Sequence, residues 1–318
     1  MRKVLITGIA GFAGSHLAER LVSRCEVWGL YIDANFSNLE GIKGLNLVEC
    51  DMTDYAKLSS VVEKLKPHSV YHLAGQSLPS LSFKHPGETL RTNIFSTLNL
   101  FEAIAAFSPQ TIVLNIGSAD EYGEVDEADL PVNEKTELRP LNPYAVSKVT
   151  QDLLAFQYSK SKGLKIVRAR PFNHIGPRQA PTFVASEFAK RIAELESGAT
   201  DNNVLTVGNL EVAKDFLDVR DVVAAYELLV EKGAPGEVYN ICSGSATRIR
   251  DIADKLISLS TSKVELARDP SKNRPTDTLA IYGDNTKLRS LGWAPERGLE
   301  ETLKDLLDYW RARAGSRS

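Results

Sequence analysis

The chain has 318 residues, of which 43% are apolar, and a formal net charge of −3 at pH 7. A chain of this length and composition can bury a large hydrophobic core. Its small negative charge gives no reason to expect nucleic acid or a membrane as a partner. The sequence shows no leader and no run of 18 apolar residues, its three cysteines are scattered, and no spacing resembles a metal site, so we expect a cytoplasmic protein without a bound metal.

A glycine-rich turn lies close to the start of the chain. Residues 1–7 are a predicted apolar strand, residues 13–23 are a predicted helix with one apolar face, and the sequence GIAGFAG at residues 8–14 joins them. Glycines at such a turn let the backbone approach a phosphate, and the first N–H groups of the helix are free to bind it. We therefore predict that the pyrophosphate of a dinucleotide is bound by Gly8, Gly11, Phe12, Ala13 and Gly14.

The second predicted strand, residues 26–32, ends at Asp33. An acidic residue about 20 residues beyond the glycines can accept hydrogen bonds from the adenosine ribose. The alternative is that Asp33 only begins a loop. No Arg or Lys lies between Cys25 and Ile42, and a 2′-phosphate would need such a cation. The sequence therefore favours NAD as the cofactor, with NADP as a possible alternative.

Apolar strands alternate with amphipathic helices up to about residue 170, which predicts an α/β fold with a doubly wound parallel sheet of the Rossmann type. Predicted strands cover residues 45–49, 69–73 and 111–116. Open sheets of this kind bind ligands at the carboxyl ends of their strands. We expect further cofactor contacts there from Asp51, Met52, Leu73, Ala74 and Gly75.

The part of the chain after residue 170 has a looser pattern and predicts a smaller C-terminal α/β lobe that binds the substrate. We assign residues 1–170 to the cofactor domain and residues 171–318 to this lobe, with residues 215–235 packing back on the first domain. The predicted helices of the second part cover residues 182–196, 219–231, 248–258 and 299–311, and a short strand is predicted at residues 238–240.

A tyrosine and a lysine lie one helical turn apart at Tyr144 and Lys148, in a helix that begins near Pro143. An ammonium group at this spacing can hold the pKa of the phenol down, whereas burial acts in the opposite direction.

A second polar segment, GSADEYG at residues 117–123, follows a buried strand. Its Ser118 can act in chemistry or simply complete the turn.

With these motifs the chain resembles the extended short-chain dehydrogenase/reductase family over essentially its whole length. In that family the hydroxyl residue at the position of Ser118 is catalytic, together with the Tyr and Lys that match Tyr144 and Lys148. The resemblance implies that Lys148 binds the nicotinamide ribose and favours the phenolate of Tyr144. It also implies that Ser118 binds the sugar oxygen that changes oxidation state.

The same resemblance implies cofactor contacts from Asn93 and Pro171. It also implies a homodimer formed through two helices of each subunit, which are expected near residues 86–107 and 143–160.

Three later segments resemble the members of the family that act on GDP-sugars. They are RPFNHIGP at residues 170–177, GNLEVAKDF at residues 208–216 and DPSKNRPTD at residues 269–277. The relatives have an Arg where this chain has Lys214, so the charge is kept but the bidentate fork is lost. The resemblance implies that a GDP-sugar is bound by Gln76, Ser77, Ser118, Asp120, Asn173, Phe183, Val184, Lys214 and Arg274.

Within this branch, reduction of the 4-keto group of GDP-4-keto-6-deoxy-D-mannose competes with 4,6-dehydration of GDP-mannose. The segments GFAG and NHIGP resemble the reductases. The dehydratases use a Glu base at the position of Asp120, whose side chain is one methylene shorter, while Glu121 should point elsewhere. The sequence therefore predicts the reductase, with the dehydratase, a nucleotide-sugar 4-epimerase and a non-catalytic NAD sensor as alternatives.

Overall fold

The computed structural model describes residues 1–269 and 280–315. Its strands are β1 (Arg2–Thr7), β2 (Cys25–Tyr31), β3 (Leu45–Glu49), β4 (Ser69–His72), β5 (Ile112–Ile116), β6 (Lys165–Pro171), β7 (Asn173–Ile175), β8 (Val204–Val207), β9 (Ala213–Lys214), β10 (Phe216–Asp218), β11 (Val238–Ile241), β12 (Thr247–Arg248), β13 (Glu265–Arg268) and β14 (Ala280–Ile281).

The α-helices are α1 (Phe12–Leu21), α2 (Tyr55–Leu65), α3 (Pro79–Lys84), α4 (Pro86–Phe107), α5 (Pro143–Ser161), α6 (Val184–Glu196), α7 (Val219–Lys232), α8 (Ile249–Ser258), α9 (Thr286–Arg289) and α10 (Leu299–Gly315). Short 3₁₀ turns cover Ser37–Leu39, Ala119–Glu121 and Glu127–Asp129.

Seven of these strands form one sheet in the order β11-β6-β5-β4-β1-β2-β3, and every neighbouring pair in it is parallel. Alternate side chains of β1 enter different cores: Val4 and Ile6 pack with α1 and α7, whereas Leu5 packs with α2, α4 and α5. Helices therefore cover both faces of the sheet, as parallel strands require. The predicted doubly wound α/β fold is confirmed.

One edge strand of the sheet, β11, comes from late in the chain. β11 pairs in parallel with β6, with Val238 opposite Arg168 and Ile241 opposite Pro171. The prediction that this strand belongs to the smaller lobe was wrong, because all four of its side chains are buried and the edge of the large sheet supplies the partner that a short apolar strand needs. α7 precedes it and packs against α1 on the sheet.

The smaller lobe has a separate core made by α6, α8 and α10 with β8 and β13. In α6 the apolar residues Phe188 and Ile192 recur at helical spacing and are buried. Each of the four helices predicted after residue 170 is present, with end points that differ by at most a few residues. In the parts that the structure describes, no helix is both long and apolar enough to cross a membrane.

A buried histidine connects β1, β4 and α4. His72 Nδ1 lies 2.9 Å from Thr7 Oγ1, and His72 Nε2 lies 2.9 Å from Thr97 Oγ1. Thr7 Oγ1 also accepts the N–H of Ala74 at 3.0 Å, which fixes the chain just beyond β4. Burial lowers the pKa of His72 to about 3, so this residue is a neutral structural link in the folded protein.

This burial predicts a loss of stability in mild acid. The pKa of His72 falls from 6.5 to about 3 on folding, so its contribution is complete above pH 6.5 and is lost as the pH falls towards 3. Between pH 7 and pH 5 we expect His72 alone to lower the free energy of unfolding by about 2 kcal/mol. Urea denaturation at both pH values measures the change.

The variant His72→Gln should show a smaller decrease between these pH values, whereas the same substitution at the exposed His85 should not change it. An equal decrease in the wild type and in His72→Gln would contradict the assignment.

Candidate active site

One cavity of about 1260 Å³ runs along the carboxyl edge of the sheet and between the sheet and the smaller lobe. It brings together 20 of the predicted site residues: Gly8, Gly11, Phe12, Ala13, Gly14, Asp33, Leu73, Ala74, Gly75, Gln76, Ser77, Ser118, Asp120, Tyr144, Lys148, Pro171, Asn173, Phe183, Val184 and Lys214. A parallel sheet with helices on both faces forms its ligand crevice at this edge.

Two glycines of the glycine-rich turn, Gly8 and Gly14, occupy positions where a side chain would not fit. Gly8 has a φ of +69°, and a Cβ on Gly14 would lie 2.3 Å from the carbonyl oxygen of Gly8. The N–H of Gly11 donates to that same oxygen at 3.0 Å, and α1 begins at the next residue. The first turn of α1 carries no acidic side chain, so its N-terminus presents unopposed positive potential to the cavity. This geometry suits a bound pyrophosphate.

Asp33 lies on the exposed rim of the cavity, two residues after β2 ends at Tyr31. The 3₁₀ turn behind it is held to the glycine-rich turn, because Asn38 Nδ2 donates to the carbonyl oxygen of Ala10 at 3.2 Å. Among the described residues that line the cavity, the lysines and arginines are Lys148 and Lys214.

Three predicted cofactor residues lie outside the cavity lining. The carboxylate of Asp51 accepts the backbone N–H and the hydroxyl of Thr53, both at 2.8 Å, and Met52 is buried. Asn93 is also fully buried, and its side chain bonds to both backbone groups of Gln76 at 2.8 and 3.1 Å and to Ser147 Oγ at 2.8 Å. Asn93 therefore fixes the segment that carries Gln76. Its side chain lies behind this segment, outside the lining of the cavity, so a contact with the cofactor stays a prediction.

Ser118 begins the 3₁₀ turn that follows β5. Its Oγ accepts the N–H of Asp120 at 3.1 Å and takes part in a hydrogen bond with Tyr144. The side chain of Asp120 is half-buried and lines the cavity, whereas that of Glu121 is fully buried away from it. The strand end thus presents one hydroxyl and one carboxylate to a ligand.

Tyr144 is 8% exposed, and its protonation state departs from the sequence expectation. Burial raises the pKa of the phenol, the Asp120 carboxylate raises it further, and the hydrogen bond with Ser118 opposes them. Lys148 Nζ lies 5.9 Å from the ring centroid and does not lower this pKa below its usual value. Desolvation therefore decides the protonation state, and Tyr144 is a neutral phenol at pH 7.

Lys148 is held by the backbone. Its Nζ donates to the carbonyl oxygen of Ile116 at 2.8 Å, and burial lowers its pKa to about 8 against the opposing effect of Glu121. The ammonium form is therefore the main species at neutral pH. The Tyr144 and Lys148 side chains reach the same part of the cavity because both lie in the first two turns of α5, which begins at Pro143. The start of the helix is fixed by its N-cap residue Asn142, whose Oδ1 accepts the N–H of Ala145 at 2.8 Å.

The other wall of the cavity comes from the smaller lobe. β7 pairs in parallel with β10, and Asn173 Nδ2 donates to the carbonyl oxygen of Asp215 at 3.2 Å. The carboxylate of Asp215 accepts the N–H groups of Ser243, Gly244 and Gly283 at 2.7, 3.0 and 3.3 Å. These bonds place Lys214 and Asn173 on one wall. Arg274 lies outside the described residues.

Several lining residues were not predicted. They include Leu141, Glu187, Tyr226 and Gln179. Tyr226 belongs to the buried face of α7, and Leu141 to a loop before α5. Neither position has a local sequence signal, because only the packing of α7 on the sheet and the path of the loop bring these side chains to the cavity.

The glycine-rich turn gives a direct test of the cofactor site. In the variant Gly14→Ala the new Cβ would lie 2.3 Å from Gly8 O and 3.0 Å from the Ile9 backbone, so the turn must move. We expect at least a ~10-fold weaker affinity for NADH, the order expected when a charge-assisted phosphate contact is lost. Titration of NADH fluorescence measures it.

Gly87→Ala is the matched control, because no atom lies within 4 Å of a Cβ at that position. Unchanged NADH affinity in Gly14→Ala would place the cofactor elsewhere.

Comparisons with known proteins agree with this geometry. A profile of the family described as GDP-mannose 4,6 dehydratase matches residues 5–306. The chain is 36% identical over 313 residues to GDP-6-deoxy-D-mannose reductase of Pseudomonas aeruginosa, with 98% of each chain covered.

Two solved structures have the same fold. RMD from P. aeruginosa complexed with NADPH is 34% identical, with a TM-score of 0.84 and coverage of 98% of this chain and 100% of that one. UDP-glucose 4-epimerase from Thermotoga maritima with UDP-glucose is 28% identical, with a TM-score of 0.89 and coverage of 98% and 99%. The chain therefore belongs to the GDP-mannose 4,6-dehydratase family of extended short-chain dehydrogenases/reductases, enzymes that use nicotinamide cofactors.

Proposed function

We propose that this protein reduces the 4-keto group of GDP-4-keto-6-deoxy-D-mannose to give GDP-D-rhamnose, with NADH as the preferred reductant. The observation that carries the proposal is the placement of two acids after β5: Glu121 is fully buried, and the shorter Asp120 lines the cavity beside Ser118 and Tyr144. The similarity to a GDP-6-deoxy-D-mannose reductase over 98% of the chain supports the choice of substrate.

The residues of this chain have distinct tasks in the reduction. A nicotinamide cofactor held in the cavity would supply the hydride for the keto carbon. Ser118 Oγ donates a hydrogen bond to the keto oxygen, and Tyr144 gives that oxygen its phenolic proton as the C–O double bond becomes a single bond. Its raised pKa keeps the phenol protonated at neutral pH, as a proton donor must be before each turnover. Lys148, charged at neutral pH, stabilises the phenolate left behind.

The structure gives a physical reason to prefer reduction over dehydration. Dehydration needs a base that removes a carbon-bound proton. Glu121 cannot serve, because it is fully buried and its carboxylate accepts from Arg170 Nε at 2.9 Å. Asp120 lines the cavity, but its reach is one methylene shorter than that of Glu. A displacement of about 1 Å can cost ~100-fold in rate.

The preference for NADH rests on charge. The described lysines and arginines of the cavity wall are Lys148 and Lys214, and neither lies in the segment around Asp33 where an adenosine ribose would bind. A carboxylate there accepts from ribose hydroxyls and repels a 2′-phosphate. The relative that was solved with NADPH makes a parallel assay of both cofactors necessary.

We also propose a homodimer in the cytoplasm. α4 and α5 pack side by side and expose Phe95, Val146, Leu153 and Phe156, of which Phe95 and Leu153 are 51% and 56% exposed. Apolar side chains grouped on two neighbouring helices suit contact with a second copy of the same helices. The cysteines Cys25, Cys50 and Cys242 are free thiols, which fits a reducing compartment.

The function is tested by incubating the protein with GDP-4-keto-6-deoxy-D-mannose and NADH or NADPH, and separately with GDP-mannose and no reductant. Mass spectrometry of the first mixture should show a gain of two hydrogens with oxidation of the cofactor, and NADH should give the higher kcat/KM. Loss of water from GDP-mannose would identify a dehydratase and refute the proposal.

Removing the proton donor tests the mechanism. Tyr144→Phe should lower kcat by ~100-fold or more, which is within the range for loss of a general acid. Its affinity for NADH should remain close to that of the wild type. The control is Tyr55→Phe, which removes the hydroxyl of a surface tyrosine. Turnover of Tyr144→Phe at the wild-type rate would exclude this residue from the proton transfer.

Lys214 tests the nucleotide contact. A charge-assisted hydrogen bond to phosphate contributes about 1.5–3 kcal/mol, so Lys214→Ala should raise KM for the GDP-sugar ~10- to 150-fold and leave the affinity for NADH unchanged. Lys214→Arg should keep or improve KM if the site fits a bidentate fork. Lys263→Ala, at a largely exposed position, is the control. If KM is unchanged in Lys214→Ala, the lysine does not bind the diphosphate.

The dimer is tested at Leu153. A carboxylate introduced by Leu153→Glu would be buried between two apolar helix pairs, so the variant should elute as a monomer in size-exclusion chromatography with light scattering. Leu47→Glu, at an exposed leucine of β3, should leave the mass unchanged. A monomeric wild-type protein would refute the homodimer.

A further inference from the structure

Glu121 is a buried carboxylate that the proposed reaction does not use. It follows Asp120 directly, but only Asp120 lines the cavity, and the side chain of Glu121 is 0% exposed. One carboxylate oxygen accepts the backbone N–H of Ser118 at 2.8 Å, and the other accepts Arg170 Nε–H at 2.9 Å. The side chain therefore ties the residue that touches substrate to the end of β6.

The segment before Glu121 is packed tightly against it. A Cβ on Gly117 would lie 2.1 Å from Glu121 Oε1, so only glycine leaves room for the carboxylate. The N–H of Gly117 donates to the carbonyl oxygen of Ala169 at 2.7 Å. One residue earlier, the carbonyl oxygen of Ile116 holds Lys148 Nζ at 2.8 Å. The backbone of residues 116–118 thus binds Lys148 Nζ, the end of β6 and the Glu121 carboxylate within one short segment.

The charges around Glu121 come from several elements. On β6, Arg170 pairs with Glu121 and also with Asp152 of α5, where Nη2 lies 2.9 Å from Oδ2. Asp152 pairs in addition with Arg168 at 2.7 Å.

The charge of Glu121 also reaches the site, where it acts to raise the pKa values of Lys148 and Tyr144. His72 of β4 is kept neutral by burial, and the charge of Lys148 lowers its pKa further.

We propose that Glu121 is a positioning residue: its carboxylate holds the turn after β5 so that Ser118 and the carbonyl that binds Lys148 keep their places beside Tyr144. Asp215 is the comparable anchor on the opposite wall, but it binds three backbone groups of two loops and does not contact Ser118. Glu121 acts through other residues and does not itself reach the reacting atoms. The proposal rests on the proposed reduction, since Ser118, Tyr144 and Lys148 are its active groups.

Two substitutions separate position from charge. Glu121→Asp keeps the charge, but its shorter side chain cannot reach Ser118 N–H and Arg170 together. Glu121→Gln keeps the length and removes the charge. Both should lower kcat ~10- to 100-fold, the cost of a misplacement of up to about 1 Å. KM for the sugar and the affinity for NADH should change by less than about threefold, because the glycine-rich turn and Lys214, which are proposed to hold the two pyrophosphates, belong to other segments of the chain.

The pH dependence of kcat/KM distinguishes positioning from general destabilisation. Because the Glu121 carboxylate acts to raise the pKa of Lys148, Glu121→Gln should move the alkaline limb of the profile to lower pH. Glu121→Asp should leave the limb in place while kcat falls. A purely structural role would lower the melting temperature in both variants and leave kcat and this limb unchanged.

Asp152→Asn is the matched control. It removes one carboxylate from the same ionic cluster, is equally buried and contacts neither Ser118 nor Lys148 Nζ. It should lower the melting temperature while kcat stays within about twofold of the wild type. The proposal is overturned if Asp152→Asn loses as much kcat as the Glu121 variants, or if folded Glu121 variants retain wild-type kcat.

If the single Glu121 variants do not fold, the paired substitution of Glu121→Leu with Arg170→Met keeps the test decisive. Folded proteins often tolerate replacement of a buried ion pair by apolar residues of similar volume. This double variant should fold and still lose kcat ~10-fold or more, because the Ser118 N–H has no acceptor. Wild-type kcat in it would refute the proposal. Absence of turnover in the wild type would instead refute the proposed reaction.

Discussion

Exclusion of water from Tyr144 and Lys148 is the constraint on which the site depends. Burial shifts the pKa values of the two groups in opposite directions, because the charged form of each loses hydration. The pKa of the phenol rises, and that of the ammonium group falls to about 8. The phenol is therefore ready to give a proton, and the lysine sits near the point at which its charge responds to its surroundings. The backbone carbonyl of Ile116 keeps Lys148 in place without supplying a counter-charge.

The topology of the chain creates this dry environment. The loops after β1, β4 and β5 supply the glycine-rich turn, the segment fixed by Asn93, and Ser118, all at one edge of the sheet. β7 then leaves the sheet to pair with β10, and the chain returns through α7 and β11 to the sheet. The chain leaves the sheet for the smaller lobe after β6 and again after β11, both times at this edge, so residues of that lobe close the cavity over Tyr144 and Lys148.

The sequence predicted the parts of this arrangement that depend on local pattern. The glycine-rich turn, the spacing of Tyr144 and Lys148, and the four later helices are all signals of short range. The properties that it did not predict depend on packing. The raised pKa of Tyr144 follows from burial, and the place of β11 follows from which sheet edge is free. Asp51 and Met52 follow a strand, as the sequence predicted. The side chain of Asp51, however, is hydrogen-bonded to Thr53, and that of Met52 is buried in the core.

The pair Asp120 and Glu121 shows how one scaffold can serve several reactions. Ser118, Tyr144 and Lys148 can transfer a proton and support hydride transfer in either direction, so they do not by themselves distinguish a reductase from an epimerase or a dehydratase. Dehydration additionally needs a base that removes a carbon-bound proton, so the reach of the carboxylate in the cavity bears on that reaction alone. In this chain the longer acid is committed to Arg170 inside the protein, and the shorter one faces the ligand. This arrangement supports the proposed reduction over dehydration.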